Sequence, residues 1–256
     1  MIPKTIHYCW FGRNPKPKLA EKCIKSWKKY CPDYEIIEWN EDNFDIASAP
    51  LYVRQAYDAK KWAFVTDYVR LKIVYDNGGI YMDTDVEIIK PLDGFLNHNA
   101  FFGFEDEQHI ATGLGFGAEK SYALLQKLMD DYLDISFIDE NGEYDLMPCP
   151  QRNLRCFQDF GVRSNNQIQV INGCAFYPTD YFCPKDFHTN QIIITERTHT
   201  IHHFSGSWID PTQRKNEEKW RRRQKWDKIL RVPKRVAKEI LGNTNYEKLR
   251  ELLLRK

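Results

Sequence analysis

Long apolar runs, closely paired cysteines and glycosylation sequons are all missing from this chain of 256 residues. Without a run of about 18 apolar residues, no membrane-spanning helix is expected. The seven cysteines include no pair at the two-residue spacing of zinc ligands, so we expect free thiols in a reducing cytosol rather than a structural zinc. The N-terminus has no basic-then-apolar leader, so secretion is not expected.

An excess of charge of one sign is also missing, because 37 Lys and Arg balance 36 Asp and Glu to a net charge of +1. That balance conceals two unlike regions. Residues 214–256 carry sixteen Lys and Arg against six Asp and Glu, a net charge of +10, which leaves −9 for residues 1–213. An acidic body argues against a broad basic surface that binds the phosphate backbone of a nucleic acid. Nucleic acid is therefore not expected as a partner.

What the chain does contain is enough apolar sequence, 42% of all residues, for a sizeable core. Thr5–Phe11 and Tyr34–Trp39 are rich in residues that favour strands. Leu19–Tyr30, between them, has the apolar spacing of one helical face. Strand, helix and strand in this order predict the start of a parallel α/β sheet.

Helical and extended patterns alternate through the rest of the body. A helical pattern over Leu51–Asp76 is strongest at Lys60–Tyr75 and stops at Gly78-Gly79, since glycine accepts the left-handed conformation of a helix end. Further strands are predicted at Ile80–Met82, Ala100–Phe104, Gly113–Gly117, Gln167–Ile171, Ala175–Tyr177 and Thr198–Phe204, and further helices at Ser121–Leu133 and Asn153–Phe160. The composition changes after Pro211, so we predict one domain at 1–211 and a basic, helical appendage at 212–256.

The central candidate site is Asp83-Thr84-Asp85, which follows directly on the apolar segment Ile80–Met82. Carboxylates at positions i and i+2 project to opposite faces of a continuing strand, but a bend at the strand end can bring both toward one ion. Mg²⁺ and Mn²⁺ take oxygen ligands and commonly bridge carboxylates to substrate phosphates. The competing interpretation is a solvated pair of aspartates at a strand end.

Asp67 and Arg70 lie three residues apart on the preceding helix, hence on one face, among apolar neighbours. In one interpretation they form an internal salt bridge that orders the helix. In the other, both point over the strand end, where Asp67 accepts a hydrogen bond from a sugar hydroxyl and Arg70 contacts phosphate.

The segments WAFVTDYVR (62–70) and NGGIYMDTD (77–85) together resemble glycosyltransferase family 32, which includes bacterial capsular-polysaccharide and yeast mannosyl transferases. They are also similar to the catalytic domain of the large clostridial glucosylating toxins. The resemblance is strong over residues 3–95, patchy to 197, and returns at 199–208. It implies a GT-A type, Rossmann-like nucleotide-sugar-binding domain with a mixed central sheet.

The resemblance also implies roles for individual residues. Trp10 would stack on the nucleotide base, a role that suits a flat aromatic face, and Ser207 and Trp208 would approach the diphosphate. The implied catalytic set is Arg70, Asp83 and Asp85. The implied donor-binding set is Trp10, Asp67, Arg70, Tyr81, Asp83, Ser207 and Trp208.

His202 and His203 are the remaining candidate ligands. In a strand, adjacent side chains face opposite sides, so at most one of them reaches a metal easily. Related retaining transferases carry a His-x-x-Gly element that supplies a metal ligand, and residues 203–206 have that spacing. The resemblance therefore implies Asp83, Asp85 and His203 as ligands of Mn²⁺ or Mg²⁺, with His202 as the alternative.

The expected activity is that of a metal-dependent, retaining transferase that moves a hexose from a nucleotide sugar. UDP is favoured over GDP, and the acceptor is expected to be a saccharide or a lipid-linked saccharide in bacterial capsular polysaccharide synthesis. In the tail, Trp220 and Trp226 are interleaved with Lys and Arg, a pattern typical of a membrane interface. We therefore expect a cytoplasmic protein, peripheral on the anionic inner face of the plasma membrane, although helices packed on the domain would show the same charges.

Two other classes compete with this interpretation. A non-catalytic protein that binds nucleotide sugars or carbohydrates could keep the same fold. A phosphohydrolase of the haloacid-dehalogenase type also uses Asp-x-Asp after a strand, but its signature has Thr or Val where Glu87 stands. The acidic run Glu105-Asp106-Glu107 could face a sugar hydroxyl, but no spacing argument selects one of the three.

Overall fold

The computed structural model describes residues 1–187 and 189–206. Residues 1–186 and 192–206 belong to one compact unit. The domain boundary at 211 and the helical appendage at 212–256 lie outside the described residues and stay predictions. The same is true of Ser207 and Trp208.

Strands and helices alternate along most of the described chain. In chain order they are β1 (Thr5–Cys9), α1 (Lys18–Tyr30), β2 (Glu35–Trp39), α2 (Leu51–Asp58), α3 (Trp62–Asn77), β3 (Gly79–Tyr81), β4 (Val86–Ile88), β5 (Ala100–Gly103), β6 (Phe116–Ala118), α4 (Ala123–Asp130), α5 (Cys149–Asp159), β7 (Gln169–Ile171), β8 (Cys174–Tyr177), α6 (Thr179–Phe182) and β9 (Thr200–His202). Short 3₁₀ helices occur at Ile46–Ser48 and Asp93–Phe95.

Within the described residues, seven strands form a central sheet in the order β2-β1-β3-β6-β5-β8-β7. Strand β1 is parallel to both β2 and β3, and β5 is parallel to β8. Strand β6 runs antiparallel to β3 and β5, and β7 runs antiparallel to β8. The predicted α/β class with a mixed central sheet is therefore confirmed, and so is its parallel strand–helix–strand beginning.

A second, two-stranded sheet pairs β4 with β9. The strands are antiparallel, and their register places Val86 opposite His202 and Ile88 opposite Thr200. This pairing brings the segment after Asp83-Thr84-Asp85 against a strand that lies more than a hundred residues later in the chain.

The helical pattern predicted over Leu51–Asp76 forms two helices rather than one. The chain breaks between α2 and α3, where Lys60 has a φ of 56°, a left-handed conformation that a continuing α-helix does not contain. Helix α5 begins at Cys149, earlier than predicted, with Pro148 at its N-cap and Pro150 in its first turn, where proline's missing N–H has no helical partner to lose. Strand β6 begins at Phe116, later than the predicted Gly113.

Helix α3 carries the residues that matter most for the site. It is buried on almost every side, and its buried residues include two charged ones, Asp67 and Arg70. A helix that is covered all round lies inside the protein rather than on its surface. Its end is set by Gly78, whose φ of 71° lets the chain turn directly into β3.

Candidate functional site

The Asp-x-Asp segment forms a tight turn after β3. The backbone N–H of Asp83 donates to the carbonyl of Gly113 at 3.1 Å, and the N–H of Val86 donates back to the carbonyl of Asp83 at 3.0 Å. The hydroxyl of Tyr81 donates to Oδ1 of Asp83 at 2.8 Å. The chain therefore bends at the strand end, which is the geometry that allows Asp83 and Asp85 to face one ion.

The buried residues Asp67 and Arg70 form one network with the half-buried Asp83. Nη2 of Arg70 lies 2.7 Å from Oδ1 of Asp67, and Nη1 lies 3.6 Å from Oδ2 of Asp83. Nε of Arg70 donates to the carbonyl of Thr66 at 2.9 Å, which holds the guanidinium in place. The two interpretations of Asp67 and Arg70 are thus compatible, because their salt bridge is itself tied to the Asp-x-Asp segment.

Burial and charge act together on this network. Burial raises the pKa of Asp67 to about 6, against the opposing charge of Arg70. Burial also disfavours the charged form of Arg70, but Asp83 and Asp67 hold the pKa of Arg70 well above its usual value. Arg70 is therefore a permanent cation between two carboxylates.

Gly113 lies against this network, and sequence analysis missed its role. A Cβ atom at Gly113 would lie 2.3 Å from Oδ2 of Asp83 and 2.9 Å from Nη1 of Arg70. Both distances are too short for a carbon side chain, so the close approach of Asp83 and Arg70 depends on a glycine here. The requirement arises only when the loop before β6 meets β3, so no local pattern could have indicated it.

Asp83, Asp85 and His202 form a group that fits a metal ion. One ligand atom from each of these residues lies within 4.8 Å of the others. Oδ1 of Asp85 is 3.3 Å from Nε2 of His202, and Oδ2 of Asp85 accepts a hydrogen bond from the backbone N–H of Ser205 at 2.7 Å. Two carboxylates with one imidazole suit a divalent ion such as Mn²⁺, because carboxylate oxygens and imidazole nitrogen both coordinate it.

The charges of this group support the same conclusion. Asp85 is 8% exposed, and burial works against its charge, but His202 and Ser205 hold its pKa below the usual value. Burial also disfavours protonated His202, but Asp85 holds the pKa of His202 well above its usual value. Asp85 therefore favours positive charge beside it, and a divalent cation can supply that charge with His202 as a neutral ligand.

The geometry favours the alternative ligand His202 over His203. Nε2 of His203 lies 2.8 Å from Oε2 of Glu87, and Nζ of Lys22 lies 2.8 Å from the same oxygen. The side chain of His203 is thus directed to Glu87, whereas His202 is directed to Asp85. Adjacent residues face opposite sides of an extended chain, so the register of β4 with β9 decides which histidine meets the aspartates.

Trp10 follows β1, which is parallel to β3. The carboxyl ends of parallel neighbours lie at the same edge of a sheet, so Trp10 and Asp83 share that edge. The indole N–H donates to the carbonyl of Asn14 at 2.6 Å, and Nζ of Lys16 lies 5.6 Å from the ring centroid. Stacking of Trp10 on a nucleotide base stays a prediction.

The structure distinguishes the three acidic residues after β5. Asp106 accepts hydrogen bonds from the backbone N–H groups of Gln108 and His109 at 2.7 and 2.8 Å, so its carboxylate stabilises the loop. Glu107 is exposed. Glu105 is half-buried, and burial raises the pKa of its carboxyl, with an opposing effect from His202. Glu105 therefore belongs to the electrostatic surroundings of the site, which spacing in the sequence could not show.

Comparison with known proteins confirms the resemblance seen in the sequence. Residues 17–102 match the family model described as a glycosyltransferase sugar-binding region containing the DXD motif. That range includes Asp67, Arg70, Asp83 and Asp85, while His202 lies outside it.

Two curated relatives come from Schizosaccharomyces pombe. The chain is 35% identical over 104 residues to inositol phosphoceramide mannosyltransferase 3, in a match that covers 39% of this chain and 29% of that protein. It is 26% identical over 128 residues to inositol phosphoceramide mannosyltransferase 1, with 43% and 39% covered. The chain thus spans well under half the length of these relatives.

Among solved structures, the PaToxG glycosyltransferase is similar at 19% sequence identity with a TM-score of 0.49. The match covers 62% of this chain and 69% of that one.

Proposed function

We propose that the chain is a metal-dependent glycosyltransferase, because residues 17–102 match a glycosyltransferase sugar-binding region containing the DXD motif. It moves a hexose from a nucleotide sugar to a saccharide or lipid-linked saccharide. The observation that carries the proposal is the convergence of Asp83, Asp85 and His202 beside the buried Asp67–Arg70 pair.

Asp83, Asp85 and His202 would hold Mn²⁺ or Mg²⁺. A bound divalent cation would supply the positive charge that stabilises the departing nucleoside diphosphate. Arg70 keeps Asp83 in position through its ion pair and adds a fixed cation near the same carboxylates. Such preorganised charges contribute about 3 kcal/mol each to a transition state when they are well placed.

Asp67 provides a hydrogen-bonding group for the donor, and Tyr81 supports the donor site through Asp83. An ionised Asp67 accepts from a sugar hydroxyl, and its pKa of about 6 leaves it mostly ionised at neutral pH. Tyr81 orients Asp83 through its hydroxyl. Trp10, Ser207 and Trp208 complete the proposed donor site, with Trp10 on the base and the other two on the diphosphate.

The names of the curated relatives support proposals for the donor sugar and for the acceptor. Both curated relatives are named as mannosyltransferases of inositol phosphoceramide, which supports mannose among the sugars and a lipid-linked acceptor. We retain a UDP-hexose as the first donor to test, with GDP-mannose beside it, and bacterial capsular polysaccharide synthesis as the setting. Transfer would retain the anomeric configuration, through a front-face displacement in which the departing phosphate helps to deprotonate the acceptor.

The proposal is tested by screening UDP- and GDP-linked sugars for hydrolysis and transfer with Mn²⁺, Mg²⁺ or EDTA. We expect metal-dependent release of nucleotide, lowered about 100-fold or more in Asp85→Asn, since that change removes a charged ligand. Asp76→Asn is the matched control, because Asp76 is exposed and pairs with Lys72 on the surface of α3.

The competing classes give different results in the same screen. A non-catalytic protein would bind a nucleotide sugar with Mn²⁺ but release no nucleotide when acceptor is added. A haloacid-dehalogenase-type enzyme would hydrolyse p-nitrophenyl phosphate. Either result, or full activity in Asp85→Asn, would overturn the proposal.

Membrane association is proposed from composition alone. None of the described helices has the length and apolar character required to cross a bilayer. We propose that residues 212–256 bind the anionic inner face of the plasma membrane, with about 1 kcal/mol from each Lys or Arg near the surface. Co-sedimentation of the full chain with phosphatidylserine vesicles should fall when Arg221, Arg222 and Arg223 are changed to Glu, and equal pelleting would refute the idea.

A further inference from the structure

A group of buried polar atoms lies close to Asp67 and is used by no step proposed above. We call it the Asn153 cluster, and it consists of Tyr52, Tyr132, Arg152 and Asn153. Both amide atoms of Asn153, the Tyr132 hydroxyl and Nε of Arg152 have no hydrogen-bond partner within residues 1–187 and 189–206, and the Tyr52 hydroxyl has none apart from the guanidinium of Arg152. The side chains of Asn153 and of the two tyrosines are fully buried, at 0% exposure.

The members of the cluster are held together by well-defined contacts. The rings of Tyr52 and Tyr132 meet edge to face with centroids 5.3 Å apart. Cζ of Arg152 lies 5.1 Å from the Tyr52 ring centroid and 5.5 Å from that of Tyr132. Nη2 of Arg152 is bound to Oδ2 of Asp145, so the guanidinium is anchored at one end. Asn153 follows Arg152 on α5.

The cluster packs against α3 beside Asp67, because the ring of Tyr132 lies 5.8 Å from that of Tyr68, the residue after Asp67. The charge of Arg152 acts to lower the pKa of Asp67, and the charge of Asp67 contributes to the raised pKa of both tyrosine hydroxyls, where burial is the larger cause. On α5, Cys149 lies one turn before Asn153 and thus on the same face. A hydrogen bond from Cys149 also acts to lower the pKa of Asp67.

These buried polar atoms, on residues that are neighbours in the core or along α5, require an explanation. An unsatisfied buried polar atom is costly, and native proteins pair such atoms with protein groups or with ordered water. A buried water makes about three hydrogen bonds, and it needs several polar partners within reach. The Asn153 cluster offers both hydrogen-bond donors and hydrogen-bond acceptors. Its burial favours a ligand as small as water.

We propose that the Asn153 cluster binds ordered water, and that this hydrated cluster positions Asp67 for the hydroxyl of a donor sugar. Asn153, Tyr52 and Tyr132 are then positioning residues, which act on the donor through Asp67. The positioning part rests on the proposed transferase function. The hydration part rests on the buried atoms alone.

Single Tyr→Phe variants test the proposal, since each removes one hydroxyl and nothing else. Tyr34→Phe is the matched control, because the Tyr34 hydroxyl is also buried and unpartnered within the described chain but belongs to a different core cluster. We expect the urea midpoint to fall in Tyr52→Phe and Tyr132→Phe relative to Tyr34→Phe. A high-resolution crystal structure should show ordered water bonded to Asn153.

Donor binding is measured by calorimetry with UDP-glucose and GDP-mannose in the presence of Mn²⁺, and by steady-state kinetics. We expect the Kd and KM to rise about threefold to tenfold in Tyr52→Phe and Tyr132→Phe, the equivalent of one hydrogen bond, with a smaller change in kcat. A purely structural role would lower the urea midpoint and leave the Kd unchanged.

The outcomes separate the two parts. Urea midpoints that match Tyr34→Phe, together with no ordered water at Asn153, would overturn the hydration. Lower midpoints with an unchanged donor Kd would overturn the positioning role. If the wild-type protein binds neither nucleotide sugar, the proposed function fails for these donors, while the midpoints and the crystal structure still decide the hydration.

Discussion

The two halves of the site are assembled in different ways. The donor half, which consists of Asp67, Arg70 and Asp83, comes from one helix and the turn that follows the next strand. The metal half joins Asp85, with Asp83 shared between the halves, to His202 at the end of β9, and the bond from the N–H of Ser205 to Asp85 spans 120 residues. A motif recognised by local spacing can describe the first half, whereas the second depends on which strands pair.

The halves also differ in which group neutralises their carboxylates. In the donor half a buried arginine already neutralises the carboxylates, so the network contributes to folding. In the metal half a divalent cation bound by Asp85 and His202 can neutralise the carboxylate of Asp85. Changes in the donor half should therefore lower stability as well as activity, and changes in the metal half should act mainly through metal affinity.

Loss of the arginine is expected to have the largest effect. Arg70→Met leaves Asp67 and Asp83 without their cation, and Arg70 is only 4% exposed, so the free energy of unfolding should fall by about 3–5 kcal/mol. Urea denaturation measures the change. Arg155→Met is the control, because that side chain is 92% exposed and should change stability by about 0.5 kcal/mol or less. Similar losses in both variants would contradict the buried network.

The two histidines provide the next comparison. His202→Gln should raise the Mn²⁺ concentration for half-maximal activity about 10–100-fold, because a ligand is lost. His203→Gln should raise it much less, because His203 is directed to Glu87. Titration of donor hydrolysis with Mn²⁺ measures both. A larger effect at His203 would restore the ligand implied by the His-x-x-Gly spacing.

Gly113 tests whether the donor half depends on the close approach of Asp83 to Arg70. Gly113→Ala places a methyl group 2.3 Å from Oδ2 of Asp83 and so moves that carboxylate, and kcat/KM should fall about tenfold. Gly94→Ala is the matched control, since no heavy atom lies within 4 Å of a Cβ there. Equal kinetics for the two variants would show that Asp83 tolerates the displacement.

The smallest effect concerns His7, which lies on β1 beside β3. Burial lowers the pKa of His7, and its Nε2–H donates to the carbonyl of Gly78 at 2.9 Å. As pH falls below about 6.5 the unfolded chain binds the proton first, so stability is complete above that pH and declines below it. The decline should be at most about 1.4 kcal/mol per pH unit.

The measurement compares urea unfolding of the wild type and His7→Gln between pH 7.5 and 5.5. The wild type should lose more stability than the variant over this interval, because only the wild type has the buried histidine. Parallel curves would show that His7 does not titrate differently in the folded and unfolded states.

The local sequence predicts the structure most successfully where that structure depends on neighbours in the chain. The strand–helix–strand beginning and helix α3 follow from apolar periodicity and glycine stops, and the structure confirms both. It was less successful at the break between α2 and α3, where Lys60 takes a left-handed conformation that lysine rarely adopts. No propensity rule indicates that break, because tertiary packing imposes it.

By itself the sequence determined the α/β class, the position of the Asp-x-Asp segment and the common helical face of Asp67 and Arg70, since each depends on patterns within a few residues. Only the tertiary structure decided that His202 rather than His203 meets Asp85, and that Gly113 borders Asp83. Both results depend on the register between distant segments, and a shift of one residue in a strand exchanges the faces of all its side chains.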